Sequence, residues 1–208
     1  MLFTTYRVNS FAVASVLKGP LLSFSAFLSN RPEFTHSSHL NMSGSSSSCP
    51  SSTFKVHQFP CLNDNYGYLI HDETTGATAA IDTPDADAYR RELDRRGWTL
   101  THVINTHHHW DHTGGNLELK KSAGGDAGVK VVGPEAERDK IPGIDMAVGH
   151  GDTLAFGGTE AQVIDVGGHT NGHVAYYFPK EGAVFSGDAL FALGCGRMFE
   201  GTPPQFWK

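Results

Sequence analysis

The sequence predicts an α/β domain in which two β-sheets pack against each other and helices flank them. Two observations predict it. Short alternating or wholly apolar segments recur in both halves of the chain, and one strongly amphipathic segment of helical period interrupts them. Taken in order, Phe54–Phe59, Tyr66–His71 and Ala77–Asp82 are separated by Asn, Asp, Gly and Thr, and they read as strands joined by hairpin turns. Ala86–Arg96 carries Tyr89 and Leu93 on one face and Arg and Glu on the other, with Gly97 as a stop, which is the pattern of a helix. Thr101–Asn105 is a short strand that delivers a polar segment, starting at Thr106, from its carboxyl end. Val129–Val132, Thr159–Val166, Val174–Phe178 and Ala183–Ser186 supply the later strands, and no internal repeat is present.

The 208 residues suffice for one ordinary domain plus a tail. A formal net charge of −6 argues against a binder of phosphate backbones, which needs clustered Lys and Arg. Cys49, Cys61 and Cys195 form no CxxC pair, and so sparse a set suits a reducing compartment better than a disulfide framework. Residues 1–50 are expected to be a disordered targeting peptide and linker. From Met1 to Pro32 there is no Asp or Glu, while Arg7, Lys18 and Arg31 punctuate a run rich in Ser, Phe, Leu and Ala. Lys18 and Pro20 interrupt the apolar run Phe11–Leu17, which weakens a secretory reading, and no apolar stretch approaches the roughly 20 residues of a membrane span. The expected address is the mitochondrial matrix, with a plastid as the alternative, or the cytosol if synthesis starts at Met42. Ser43–Ser48 reads as a flexible linker, so the folded domain is expected over 54–208.

Function is written most densely around Thr106. Five of the twelve histidines fall between His102 and His112. In a turn after a strand, alternate residues point to the same side, so His107 and His109 can grip one cation while His108 points away. Asp111 and His112 follow on the bend and can reach a second cation. Imidazole suits zinc and iron, and carboxylate oxygen favours harder metals. Further along, Gly167-Gly168-His169-Thr170 follows one apolar strand, and Ser186-Gly187-Asp188 follows the next but one. Each strand thus ends in a Gly-bearing turn with a ligand-type residue, and Asp188 has two oxygens with which to bridge two ions. His173 is either a donor to a metal ligand or a polar neighbour. His57, His71, His102 and His150 read as structural.

These motifs, in this order, resemble the metallo-β-lactamase fold, an αββα sandwich. Thr106-His107-His108-His109-Trp110-Asp111-His112 followed by Gly114-Gly115-Asn116 is similar to the glyoxalase II family, the hydroxyacylglutathione hydrolases. So are Asn63-Asp64-Asn65-Tyr66, Gly168-His169-Thr170-Asn171-Gly172-His173, and the stretch from Ser186-Gly187-Asp188 through Gly194-Cys195-Gly196-Arg197-Met198-Phe199-Glu200. The resemblance runs from about Lys55 to Pro204. It implies that His107, His109 and His169 hold a first metal, that Asp111 and His112 hold a second, and that Asp188 bridges them. Asp111 and Asp188 would thereby be the catalytic carboxylates. The implied cofactor is Zn2+ at two sites, with iron or manganese as substitutes. The implied reaction, part of methylglyoxal catabolism, is hydrolysis of S-D-lactoylglutathione to D-lactate and glutathione by metal-acidified water. Arg197 stands where the family places a Lys or Arg that contacts the glutathione portion, and Phe199 stands where some members carry Tyr, so a phenol hydrogen bond would be missing. Cys195 has nothing nearby to activate it and is expected to pack. The partner is a small-molecule glutathione thioester, with no nucleic acid or membrane, and the chain is expected to be a monomer.

The family continues past the position of Lys208 with further strands, a last histidine for the second metal and a helical domain. The resemblance therefore implies a C-terminally truncated fragment: an incomplete second half, one metal held well and a second poorly, and weak or absent turnover. Two rival readings follow. One is a mono-iron persulfide dioxygenase-like enzyme on the same fold, against which Trp110 and the 194–197 stretch count; the other is an inactive metal-binding fragment.

Overall fold

The computed structural model describes residues 12–14, 53–125 and 128–207. Apart from the three-residue strand 12–14, the targeting peptide, the Ser-rich linker and Met42 lie outside the described residues. The strands are β1 (Ala12–Ala14), β2 (Phe54–Cys61), β3 (Asn65–Asp72), β4 (Thr78–Ile81), β5 (His102–Ile104), β6 (Lys130–Pro134), β7 (Met146–Val148), β8 (Thr153–Phe156), β9 (Thr159–Asp165), β10 (Val174–Phe178) and β11 (Ala183–Phe185). The helices are α1 (Ala86–Arg96), α2 (Trp110–Thr113), α3 (Asn116–Ser122) and α4 (Pro203–Phe206). One sheet has the order β2-β3-β4-β5-β6-β7 and the other β1-β11-β10-β9-β8.

Each predicted strand and the predicted helix is present; Ala86–Arg96 and Val174–Phe178 keep their expected bounds, and no other end is displaced by more than two residues. Helix α1 is bounded as its sequence dictates. The Asp85 carboxylate accepts from the amides of Asp87 (2.9 Å) and Ala88 (3.4 Å), and Gly97 ends the helix in the left-handed region at φ 66°. Tyr89 and Leu93 face inward, as their spacing requires. Helix α3 and strands β7 and β8 escaped the sequence reading for a physical reason. They have seven, three and four residues, too few for a period to declare itself.

Two apolar layers hold the sandwich together. Ile70, Ile81, Ile104 and Val132 of the six-stranded sheet meet Phe156, Val163, Tyr176, Phe178 and Phe185 of the other. A second layer, with Leu69, Val103 and Val131, packs that sheet's outer face onto Tyr89 and Leu93 of α1 and Leu119 of α3. Among the described residues, no helix is long and apolar enough to cross a membrane.

The topology creates a site at one rim. β4, β5, β6 and β7 run parallel, so the residues after Ile81 and Ile104 emerge side by side, and the Asp82 amide donates to the Ile104 carbonyl at 2.9 Å. In the other sheet β9 and β11 both run antiparallel to β10, so their carboxyl ends share an edge. A 3.0 Å bond from the Val174 amide to the Thr106 carbonyl stitches the two sheets together there.

Candidate metal centre

Three imidazoles converge where the loop after β5 meets the loop after β9. His107 Nε2 lies 3.2 Å from His109 Nδ1, and His169 Nε2 lies 2.9 Å from the same atom. Hydrogen bonding does not account for this packing. His107 directs its other nitrogen at the Thr106 hydroxyl (3.0 Å), and His169 Nδ1 donates to the Arg197 carbonyl (2.5 Å). The inward nitrogens of both rings therefore present lone pairs, and a single proton on His109 Nδ1 can serve one of them. Burial, reinforced by the neighbouring imidazoles, holds His107 well below the usual histidine range and lowers His109 as well. Neutral rings with converging lone pairs suit a cation. Bonds of ~2.0–2.1 Å in a tetrahedral site separate ligand nitrogens by roughly 3.3 Å, close to the observed spacing.

His112 and the carboxylates stand beside this group. His112 is buried, with Nε2 3.2 Å from Asp188 Oδ1 and 3.7 Å from Asp111 Oδ2. Asp188 Oδ2 lies 3.4 Å from His169 Nε2, so its two oxygens address one histidine of each set. Burial opposes a charge on His112, but the Asp82 and Asp188 carboxylates outweigh it and carry the pKa up to about 10, so a cation bound here would displace the Nε2 proton. Asp111 is steadied by Asn65, whose amide nitrogen reaches the Asp111 backbone carbonyl (3.1 Å) and Oδ2 (3.3 Å). All six residues expected to bind metal thus face one another.

Asp82 was not anticipated from the sequence. Together with His107 and His112 it forms a second trio whose ligand-type atoms lie within 4.8 Å of one another. Its oxygens are already engaged, however. Oδ1 accepts from the Thr106 amide (2.8 Å), and Oδ2 accepts from the Thr106 hydroxyl (2.8 Å) and faces His112 Nδ1 (2.9 Å). It therefore reads as an orienting group. His112 Nδ1 donates to Asp82, which turns Nε2 inward; His107 Nδ1 donates to Thr106, whose hydroxyl donates to the same carboxylate. One acid fixes a histidine of each set. The clue available in the sequence was that Asp82 ends an apolar strand, as Asp188 follows another.

The back of the loop is equally tied. Asn105 donates to the His112 carbonyl (2.9 Å), Asn116 donates to Asn105 Oδ1 (2.7 Å), and the Thr83 hydroxyl donates to Asn116 Oδ1 (2.5 Å). Gly187 must be glycine, because it has φ 50° and a Cβ there would stand 2.7 Å from His173 Nε2 and collide with the Thr106 hydroxyl.

The remaining expectations divide. His108 points away from the trio, toward Glu137 (2.9 Å). His173 is no hydrogen-bond donor to a metal ligand: neither ring nitrogen has a hydrogen-bond partner among the described residues, and its ring lies 4.6 Å from that of His107. Burial and nearby imidazoles lower its pKa to about 3. Cys195 is exposed and does not pack into the core; its neighbours Gly196 and Arg197 instead bond to Asp188 and His169 at the rim. The Arg197 side chain is exposed, while its carbonyl orients His169. Phe199, 62% exposed, stands edge-on over His169 (5.3 Å) and His109 (5.5 Å), roofing one side of the trio.

Residues 66–206 match the model of the metallo-beta-lactamase superfamily. The hydroxyacylglutathione hydrolase of Erythrobacter litoralis (strain HTCC2594) is 56% identical over 153 residues, which are 74% of this chain and 59% of that protein. The chain thus spans less than two thirds of the length of that relative. Among solved structures, ETHE1 from Myxococcus xanthus superposes with a TM-score of 0.62 at 32% identity, over 74% of this chain and 66% of that one. The BLEG-1 B3 metallo-beta-lactamase superposes with a TM-score of 0.65 at 23% identity, covering 73% and 81%, a likeness of fold alone.

Proposed function

The chain belongs to the metallo-beta-lactamase superfamily, and from that premise we propose that it hydrolyses a glutathione thioester, S-D-lactoylglutathione, in a metal-dependent reaction. The observation that carries this reading is the pair of facing donor sets joined by Asp188, in a chain 56% identical to a hydroxyacylglutathione hydrolase. His107, His109 and His169 would hold a first cation, Asp111 and His112 a second, with Asp188 between them. Zinc or iron suits the imidazole trio, and manganese is tolerated by the carboxylate-bearing set. A bound divalent cation supplies Lewis acidity, bringing the pKa of water toward neutrality and polarising a carbonyl oxygen.

The chain's own groups do the rest. Asp82 and the Arg197 carbonyl keep the correct imidazole nitrogens turned inward. Phe199 shields one side of the trio from solvent, which strengthens every charge interaction beneath it. The exposed Arg197 guanidinium is available to a carboxylate or peptide oxygen of the glutathione portion. A thiolate departs readily, so no buried general acid is required.

A second reading, oxidation of a glutathione persulfide, draws on the 32% identity to ETHE1. The 56% identity to a hydroxyacylglutathione hydrolase favours hydrolysis over it. The test is thiol release from S-D-lactoylglutathione by the purified, metal-loaded chain. Hydrolysis that chelator abolishes and added Zn2+ restores is the expected result. No thiol release at millimolar substrate from metal-loaded protein, with oxygen uptake on glutathione persulfide, would transfer the assignment to the rival.

A further inference from the structure

Glu137 is a buried acid that the proposed reaction does not use. It sits in the 3-10 turn Glu135–Lys140 after β6 and is only 3% exposed. Leaving a carboxylate in such a place is unfavourable unless its oxygens are fully engaged. They are engaged by two different loops. Oε2 accepts from the His108 amide at 2.7 Å and lies 2.9 Å from His108 Nδ1, whereas Oε1 accepts from the Gly172 amide at 3.0 Å.

Those two loops carry the metal-facing trio. The first bears His107 and His109 on either side of His108 and leaves the six-stranded sheet; the second bears His169 and leaves the five-stranded sheet. The approach is close: a Cβ on Gly172 would lie 2.5 Å from Glu137 Cγ and 2.8 Å from Ala136 Cβ, so only glycine lets this amide reach the carboxylate. Glu200 makes a weaker version of the same bridge at the surface. Its Oε2 accepts from the Asn171 amide (2.9 Å), and its Oε1 lies 3.7 Å from His108 Nε2.

We infer that Glu137 is a positioning residue for the metal centre, a clamp whose two oxygens set the separation of His107 and His109 from His169. By holding the His108 amide outward, with the His108 ring beside its carboxylate but not hydrogen-bonded to it, Glu137 turns the flanking imidazoles in. A merely structural acid would lower the stability of metal-free and metal-loaded protein alike. A clamp lowers metal affinity as well, because the trio must be drawn together at the moment of binding. The proposal rests on the reading of the trio as a metal site.

The test is a chelator-competition titration of the full chain with Zn2+, repeated with Co2+ to read the ligand-field absorption. Glu137→Gln keeps size and one acceptor but turns an NH2 group toward one loop's donor. It should weaken metal binding about 10–100-fold, the usual effect of losing an outer partner of metal ligands, and should reduce the Co2+ absorption. Glu200→Gln should change affinity less than threefold. If the wild type binds neither metal, the metal reading fails; if it binds and E137Q matches it in affinity and spectrum, the clamp alone fails. Should E137Q not fold, amide exchange on the metal-stripped wild type decides. Slow exchange at His108 and Gly172 supports a preformed clamp, and free exchange at both overturns it.

Discussion

On the proposed function, replacing His107 with alanine should abolish transition-metal binding and, with it, thiol release from S-D-lactoylglutathione. His107 is the residue the whole rim is built around. It is buried, its Nε2 faces His109 Nδ1 at 3.2 Å, and its ring lies 4.1 Å from that of His112 and 4.9 Å from that of His169. Both trios of ligand-type atoms contain it. The affinity loss should exceed the roughly 100-fold upper range for removal of an outer partner, because a direct donor is removed. The fold should survive. The apolar layers between the sheets and beneath the helices do not include His107, and its removal relieves the crowding of imidazoles. Metal content after gel filtration, circular dichroism and thiol release from S-D-lactoylglutathione check the three parts. An H107A protein that keeps stoichiometric metal would refute the assignment of the trio. A wild type whose loaded metal brings no activity to lose would instead fit the inactive-fragment reading.

Asp82→Asn should produce the next largest effect, although Asp82 touches no substrate. Asp82 holds a left-handed backbone, φ 49°, which asparagine also tolerates, so the substitution isolates the charge. Oδ1 can still accept from the Thr106 amide. The new NH2 group, however, meets two donors, the Thr106 hydroxyl and His112 Nδ1–H. Either the hydroxyl turns away from Asp82 or His112 switches tautomer and offers a proton where its lone pair is needed. Metal affinity should fall about 10–100-fold, with the loss greater for the second ion, because His112 bonds to Asp82 directly and His107 only through Thr106. Leaving a buried donor unsatisfied should lower stability by about 1–3 kcal/mol. Calorimetric Zn2+ titration and urea unfolding of the metal-stripped protein measure the two. Unchanged affinity for both ions would remove Asp82 from the centre.

The six metal-facing residues were legible in the sequence because they crowd the turns and the short helix α2 that follow strands, and because the motifs that carry them resemble a known family. Local alternation was enough to turn His108 out and His107 and His109 in. What could not be read was the support beneath them. Asp82 looks like any turn carboxylate until the parallel pairing of β4 with β5 sets it against Thr106. Glu137 reads as one more charge in the run Glu135–Lys140, and its partners lie 29 and 35 residues away, across two sheets. His173 offered two readings because a histidine beside a metal loop can bond or merely fill space. Its ring packs 4.6 Å from that of His107 with neither nitrogen in a hydrogen bond to the described residues, which decides for filling space. The exposure of Cys195 was also out of reach, since the 194–197 segment has no regular period from which to infer a face.

A crystal structure of the zinc-loaded chain, with anomalous data at the metal edge, tests the convergence of these side chains most directly. The prediction is an ion within about 2.1 Å of His107 Nε2, His109 Nδ1 and His169 Nε2, on the side facing Asp188. An ion bound elsewhere, or three rings rotated apart in folded, zinc-saturated protein, would contradict it.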